Sequence, residues 1–252
     1  MCGRYASTAS RSTLLETFGI ADERVDPAIG EPDYNVAPTK RSPIVLSRPV
    51  RKGDDPIRRL EAFRWGLVPF WAKDPKIGSR MINARAETVA EKPSYRRAFT
   101  ARRCIVPAVG FFEWFPTSEI GRAGKPLKQP FFIHRSDGEL LALAGLYELW
   151  RNPDVVDDDG PDAFLRSFTI ITTESTDDVG HIHDRMPMSV APEHWDEWLD
   201  PGVRDIGYVH SLMAPPAQGS LDTYPVSTAV NNVRSNGPQL LDPLDSKDEH
   251  RP

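Results

Sequence analysis

The feature that most limits the possible folds of this chain of 252 residues is its short runs of β-forming residues. Each run is ended by proline, glycine or aspartate. Proline lacks a backbone N–H and breaks helix interiors, so its 24 copies keep regular elements short. Strands are predicted from β-branched, aromatic and alternating residues at positions 42–47, 58–65, 103–115, 130–134, 140–149 and 168–173. Because few strands alternate with helices along the chain, we expect a mainly antiparallel sheet.

Two short helices are predicted to accompany these strands. The first spans residues 13–18, with Thr13 and Glu16 in capping-box spacing and Gly19 as its end. The second spans residues 192–199 and has a proline at its first position. The remaining predicted segments are a hairpin loop at 120–129, an exposed acidic insertion at 153–162 and a disordered tail at 241–252.

Length and composition fit one large domain, which we place at residues 2–240. The longest apolar run, residues 140–147, is far shorter than the ~20 residues of a membrane-spanning helix. Residues 4–12 are polar and lack the apolar core of a signal peptide. We therefore expect a cytoplasmic protein without membrane contact. The two cysteines provide no disulfide framework, and Cys104 is predicted to be a buried strand thiol.

The charge distribution is uneven along the chain. A net charge of −5 argues against a nucleic-acid partner, because phosphate binding is mainly electrostatic. Residues 80–104, however, contain seven basic and two acidic residues, a local balance of +5. This basic segment favours nucleic-acid binding only weakly, since a run of charges is usually a solvated surface.

Cys2 follows the initiator Met1 directly, and removal of Met1 would leave an amine and a thiol on one residue. The α-amine titrates near ~7.7–8 and a free thiol near ~8.5, so both nucleophilic forms are accessible at neutral pH. An aldehyde would form a Schiff base with the amine, and the thiol would then close a five-membered thiazolidine. The thiol alone could instead attack an ester or amide, with the amine as base. In the third interpretation, Cys2 is an ordinary residue of a frayed terminus.

Three further residues are candidates for chemistry, each with a plain alternative. Glu113 lies among aromatic residues, so it is either an outward strand residue or a carboxyl whose pKa is raised in an apolar pocket. His183 is either a proton shuttle or a surface histidine, and its neighbour His181 has no partners with zinc-ligand spacing. We therefore expect neither a metal nor a cofactor. Asn83 is predicted to open a short helix as its N-cap.

Seven segments, taken together and in this order, resemble the SOS-response-associated peptidase family of abasic-site processing proteins. They are residues 1–5, 34–38, 65–69, 82–87, 111–114, 183–187 and 230–233. The resemblance implies an α+β, mainly β single domain, in which antiparallel sheets form a barrel-like core with peripheral helices. It also implies a groove for single-stranded DNA, and capture of the ring-opened sugar of an abasic site by the amine and thiol of Cys2.

The family's functional positions transfer to matching residues of this chain. The resemblance implies that Cys2 is the covalent nucleophile, that Asn83 forms hydrogen bonds to the sugar and the terminus, and that Glu113 and His183 are an acid–base pair. These roles suit the reaction, because sugar opening and imine formation both require proton transfer. The positions that match DNA contacts are Arg4, Asn35, Trp71 and Arg85.

Three hypotheses of function follow. The first is a monomeric enzyme that crosslinks itself to abasic sites in single-stranded DNA, with a lyase-like capacity, and that joins the nucleoid when bound. The second is a thiol peptidase or amidohydrolase, with removal of its own Met1 as one reaction. The third is a single-stranded-DNA-binding module without turnover. Only the first requires both nucleophiles of Cys2 and an aldehyde.

Overall fold

The computed structural model describes residues 2–21, 29, 31–49, 53–121, 123–157, 160 and 162–244. The strands are β1 (Tyr5–Ser7), β2 (Asp33–Val36), β3 (Arg41–Arg48), β4 (Ile57–Trp65), β5 (Asn83–Arg85), β6 (Arg103–Ala108), β7 (Gly110–Ile120), β8 (Pro126–Arg135), β9 (Leu141–Arg151), β10 (Phe164–Glu174), β11 (Arg185–Pro187), β12 (Ser189–Val190), β13 (Met213–Ala214) and β14 (Leu221–Pro225).

The helices are short and lie between the strands. The α-helices are α1 (Arg11–Thr17), α2 (Arg96–Ala101), α3 (Asp177–Gly180), α4 (Trp195–Leu199) and α5 (Ile206–Ser211). The 3-10 helices are Pro75–Arg80, Pro192–His194, Thr228–Asn231 and Pro238–Leu241. None of the helices in the described ranges has the length and apolar character needed to cross a bilayer.

Five strands close into a barrel. Going around it, β4 pairs with β3, β3 with β6, β6 with β9, β9 with β10, and β10 with β4 again. A closed ring of five strands cannot be antiparallel throughout, because each antiparallel contact reverses the strand direction. The β4–β10 contact is the parallel one, with Ser167 opposite Arg64. The predicted mainly antiparallel fold with a barrel-like core is confirmed.

Alternate side chains of the barrel strands pack into two separate clusters. One set, which includes Leu46, Trp65 and Phe168, fills the barrel interior. The opposite set packs beneath the helices, against residues such as Trp198. Gly145 of β9 allows close packing inside the barrel, because a Cβ there would lie 2.9 Å from the Cys104 sulfur.

A second antiparallel sheet, in the order β14-β8-β7-β1-β2, packs against the barrel. Tyr5 and Phe111 face each other in neighbouring strands and join the same cluster as the barrel interior. The other face of this sheet is covered by the segments that contain Val230 and Leu240. Cys2, three positions before the start of β1, is therefore enclosed between the sheet and the barrel.

Each predicted strand coincides with observed strand residues, but one predicted strand corresponds to two observed strands. Residues 103–115 form β6 and β7, because the chain leaves the barrel at Val109 and enters the second sheet. The predicted loop at 120–129 is shorter, since β7 extends to Ile120 and β8 starts at Pro126.

The two predicted helices exist with changed boundaries. The capping-box prediction was wrong, because the Ser10 side chain accepts from the Thr13 N–H at 3.1 Å and α1 begins at Arg11. Gly19 does follow the helix, with φ of +60°. Residues 192–199 form a 3-10 turn that continues into α4.

The predicted insertion and tail are only partly described. In the insertion at 153–162, residues 158, 159 and 161 lie outside the described residues. In the tail at 241–252, the Leu244 N–H donates to the Pro225 carbonyl and Pro243 forms a bridge with Val226, while residues 245–252 lie outside the described residues.

The basic segment at 80–104 does not form one surface. Arg102 forms an ion pair with buried Glu148 at 3.2 Å. The buried Arg103 guanidinium donates to five backbone carbonyls in the last turns of α2 and α4 and in the segment after α4: Phe99, Thr100, Trp198, Asp200 and Val203. Both side chains are therefore structural, which removes them from any DNA-binding surface.

We predict that Arg103→Gln lowers the free energy of unfolding by about 3 kcal/mol or more, because it leaves several buried carbonyls without a donor. Urea unfolding measures the change. Arg204→Gln is the control, since exposed Arg204 donates a single 3.3 Å bond, to the Pro201 carbonyl, among the residues that the structure describes. Equal stability of the two variants would contradict the structural role of Arg103.

Candidate functional site

A cleft of about 740 Å³ opens where the second sheet meets the end of the barrel. It is lined by Arg4, Arg85, Glu113, Trp114, Lys128, His183, Asp184, Arg185 and Asn231. Four of these side chains are cationic and two are acidic, which makes the rim suitable for a polyanion. Of the residues predicted from the sequence, Arg4, Arg85, Glu113 and His183 lie in this cleft.

Cys2 lies beneath the cleft and is fully buried. Its carbonyl oxygen accepts a 2.8 Å hydrogen bond from the Asn83 side-chain amide. Burial raises the pKa of the Cys2 thiol far above its ordinary value, and the nearby charge of Glu113 raises it further. The structure thus brings Cys2, Asn83 and Glu113 together, with the thiol in its neutral form.

Asn83 is a strand residue. It starts β5, which pairs in parallel with β10 so that Asn83 lies opposite Ile170. The prediction of a helix N-cap was wrong, because this pairing extends the backbone. The Asn83 carbonyl accepts from the Tyr95 hydroxyl at 3.1 Å. The buried Asn83 Oδ1 has no hydrogen-bond partner among the described residues, so it is free to accept from an N–H group.

Glu113 is buried, which is one of the two alternatives that its aromatic neighbours allowed. Strand β7 directs it inward, where it is 3% exposed. Burial raises its pKa to about 7, and the charge of Asp184 contributes in the same direction. A carboxyl with this pKa is partly protonated at neutral pH and is able to donate a proton there.

His183 has one ring nitrogen fixed by its own loop. The Arg185 backbone N–H donates to Nδ1 at 3.0 Å, and the Asp184 carboxylate lies 2.8 Å from the same atom. Nδ1 cannot accept from Arg185 and donate to Asp184 at once, so the two contacts belong to the neutral and the protonated ring. Burial lowers the pKa of His183. The neutral ring, with its proton on Nε2, is therefore favoured near pH 7.

Arg4 and Asn35 form one buried unit. Arg4 Nη1 donates to Asn35 Oδ1 at 2.6 Å and to the Val230 carbonyl at 2.7 Å, and its guanidinium lies 5.8 Å from the Trp114 ring. Asn35 is fully buried, and its amide donates to the carbonyls of Val230, Asn232 and Ser235. Asn35 thus positions Arg4 and is enclosed away from the cleft.

Trp71 lies outside this cleft. Its ring is 48% exposed and forms a wall of a second cavity, beside the 3-10 helix Pro75–Arg80. Arg85, in contrast, is exposed in the cleft at the end of β5.

The structure adds residues that the sequence interpretation missed. Trp114 directly follows Glu113 and Arg185 lies two positions after His183, and this closeness in sequence was a usable signal. Lys128 and Asn231 come from β8 and from the 3-10 helix Thr228–Asn231, and only the fold brings them to the cleft. Within the part of the chain that the structure describes, no three His, Cys, Asp or Glu side chains converge as a metal site would require.

Arg185 is held rigidly in the cleft by Glu87. Its two Nη atoms donate to the two carboxylate oxygens of Glu87 at 2.8 and 3.0 Å, and Nη2 also donates to the Thr172 carbonyl at 2.6 Å. Such a two-point contact fixes the plane of the guanidinium.

Comparison with known proteins identifies the family of this chain. The model of the family described as SOS response associated peptidase (SRAP) matches residues 1–233. The chain belongs to the SRAP family. The resemblance found in the sequence segments is thereby confirmed over most of the domain.

Relatives are similar over nearly the whole chain. It is 39% identical over 242 residues to "Abasic site processing protein YoqW" of Bacillus subtilis, covering 96% of this chain and 99% of that protein. It is 32% identical to "Abasic site processing protein HMCES" of Pongo abelii, covering 97% of this chain and 77% of that protein. A crystal structure of a protein from Bacteroides thetaiotaomicron matches with a TM-score of 0.78 and 26% identity, covering 96% of this chain and 100% of that one.

We predict that Glu113 makes stability depend on pH. Its folded pKa of about 7 lies above the ordinary 4.5, so its contribution is complete below about pH 4.5 and is lost as the pH rises through 7. Urea unfolding of wild type and Glu113→Gln should show a free-energy difference that falls over this window and is flat above it. Exposed Glu119 of the same strand supplies the control, Glu119→Gln. A difference that is constant across the window would contradict the buried, protonated carboxyl.

Proposed function

We propose that this SRAP protein processes abasic sites by forming a covalent crosslink to single-stranded DNA through Cys2. The observation that carries the proposal is the convergence of Cys2, Asn83 and Glu113 beneath a cleft with a cationic rim. The names of the YoqW and HMCES relatives support the same substrate. The protein acts as a cytoplasmic monomer that meets the nucleoid through damaged DNA.

Removal of Met1 frees the Cys2 amine in this proposal. While Met1 is present, the Cys2 nitrogen is an amide and is not basic. Hydrolysis of the Met1–Cys2 bond, by an aminopeptidase or by the protein itself, consumes one water and leaves an amine. The amine reacts first, because burial holds the thiol in its protonated form.

The capture reaction then proceeds in balanced steps. The Cys2 amine attacks the aldehyde carbon of the ring-opened abasic sugar, and the resulting carbinolamine loses water to give an imine. The thiol adds to the imine carbon, its proton passes to nitrogen, and the thiazolidine ring closes. A C–N and a C–S bond form, and the aldehyde oxygen leaves as water.

The side chains around Cys2 supply proton transfer and orientation. Glu113, protonated in part at neutral pH, donates to the departing hydroxyl and takes a proton back afterwards. His183, as a neutral ring, donates a hydrogen bond from Nε2 to the sugar oxygen. Asn83 Oδ1 accepts from the new amine and directs its lone pair toward the substrate.

The cationic rim binds the DNA backbone on either side of the sugar. Arg4 and Arg85 contact phosphates, and Lys128 and Arg185 extend the same surface. Asn35 acts through Arg4, which it positions, and Trp71 provides a stacking surface farther along the strand.

We predict that Cys2→Ser abolishes the denaturation-resistant crosslink to single-stranded DNA with an abasic site, and retains an imine that borohydride traps. The amine survives this substitution, while the second bond requires sulfur. Gel electrophoresis under denaturing conditions, with and without borohydride, provides the measurement. Cys104→Ala is the matched control, because it removes the other thiol, buried inside the barrel.

The result also separates the alternative functions. A stable crosslink in Cys2→Ser would refute the role of the thiol. Absence of any crosslink in wild type, with DNA binding retained, would favour the non-catalytic binding module. A thiol peptidase would cleave peptide substrates with Cys2 and leave abasic DNA unmodified.

We predict that Arg85→Ala weakens binding to undamaged single-stranded DNA of any sequence, because it removes one cation from the phosphate backbone. The slope of log K against log salt should fall in magnitude by about 0.7. Saturating DNA should restore much of the crosslinking rate. Arg204→Ala, outside the cleft, is the control. An unchanged affinity and slope would show that Arg85 does not bind a phosphate.

A further inference from the structure

The end of the barrel far from the cleft carries a group of charged side chains that no step of capture uses. Arg48 ends β3, Arg59 and Glu61 lie in β4, and Arg166 lies near the start of β10. We call these four residues the rim cluster. Six residues of β10, about 20 Å, separate Arg166 from the point where this strand pairs with the end of β5 in the cleft.

The carboxylate of Glu61 is the centre of the rim cluster. Arg48 donates to it from Nε and from Nη2, one bond to each oxygen and both at 2.7 Å. Arg59 Nε lies 3.5 Å from Oε1, and Arg166 Nη1 donates to Oε2 at 3.2 Å. Three guanidinium groups therefore converge on one buried carboxylate.

Arg166 is a cation beyond what Glu61 requires. The two-point contact of Arg48 already occupies both carboxylate oxygens and neutralises the charge of Glu61. Within the described ranges, Arg166 makes one hydrogen bond, the 3.2 Å bond to Glu61, and its side chain is 48% exposed. Because a guanidinium has five N–H donors, most of those of Arg166 are available to a ligand.

The neighbouring charges make this position unfavourable for a cation. Burial lowers the pKa of Arg166, and the charges of Arg48, Arg41 and Arg59 lower it further, against the opposite effect of Glu61. This repulsion between arginines costs free energy in the protein alone. An anion bound beside Arg166 would offset it.

The rim cluster suits a phosphate group better than a carboxylate. A carboxylate has two oxygens, and one arginine of the cluster already occupies both oxygens of Glu61. A phosphate monoester has three acceptor oxygens and a charge of about −1.5 to −2 at pH 7, so it can contact several arginines at once. Tyr147 and Phe63 fill the barrel interior next to the cluster, with ring centres 5.6 Å apart, so the ligand meets the arginines from outside.

We propose that the rim cluster binds a dianionic phosphate group, as inorganic phosphate or as a phosphate monoester. Arg166 is the main donor to the phosphate. Arg48 and Arg59 add positive charge, and Glu61 holds them in place. The site is separate from the capture cleft and does not depend on the proposed function.

The test is a titration with inorganic phosphate at constant ionic strength, followed by isothermal titration calorimetry. We expect Arg166→Gln to weaken phosphate binding about tenfold, because it removes a charge-assisted contact. Arg166→Lys keeps the charge and loses the planar fork, so its affinity should be intermediate. Arg204→Gln changes an exposed arginine outside the cluster and should bind phosphate as the wild type does.

The cations of the cleft need a separate control, since they also attract phosphate. Arg85→Ala should retain the part of the binding that depends on Arg166. Equal phosphate affinity of the wild type and every folded Arg166 variant would overturn the proposal. Binding of succinate as tight as that of phosphate would also overturn it, because the cluster would then accept any dianion.

Two further titrations identify the source of the phosphate group. A deoxynucleoside monophosphate represents free nucleotides, and a single strand with a 5′-phosphate is compared with the same strand ending in a hydroxyl. Tighter binding of the phosphorylated strand that is lost in Arg166→Gln would assign the site to a DNA end. Equal binding of the two strands, with Arg166-dependent binding of the monophosphate, would assign it to a free nucleotide. Crosslinking to abasic DNA should be unchanged in Arg166→Gln, so the proposed function is tested separately.

Discussion

Strand β10 is the element on which the site depends, because one of its edges pairs with two segments in succession. It first pairs in parallel with the end of β4 and then, from Ile170 onward, with β5. The chain between β4 and β5 leaves this edge of β10, forms the segment that contains Trp71, and returns to the same edge. This shared edge places Asn83 and Arg85 at the barrel end, where the Asn83 amide donates to the Cys2 carbonyl.

Burial determines both the acidity of Glu113 and the low reactivity of the Cys2 thiol. Enclosure between the barrel and the second sheet raises the pKa of Glu113 into the physiological range and keeps the Cys2 thiol neutral. A thiol of this kind is unreactive toward most electrophiles in the cell. In the proposed mechanism, this low reactivity makes the thiol specific for aldehydes, because the aldehyde must react with the amine before the thiol adds.

The sequence predicted the barrel strands for physical reasons that apply locally, because alternation of apolar residues revealed them. The site residues were assigned through the family resemblance. The aromatic neighbours of Glu113 allowed both an outward and a buried side chain, and the structure has the buried one. Two features of the site could not be predicted from the sequence. Asn83 looked like a helix cap because its pairing partner, Ile170, lies far along the chain, and Lys128 entered the cleft only through the pairing of β7 with β8. Long-range pairing of this kind leaves no local signal in a single sequence.

In the proposed mechanism, Cys2 supplies both an amine and a thiol to one aldehyde carbon. The most direct test is the intact mass of the wild-type protein after reaction with single-stranded DNA that carries an abasic site, followed by peptide mapping of the adduct. We expect a mass equal to the protein without Met1 plus the DNA minus one water, with the linkage on the peptide that begins at Cys2. An adduct that retains Met1, or one located on a lysine, would contradict it.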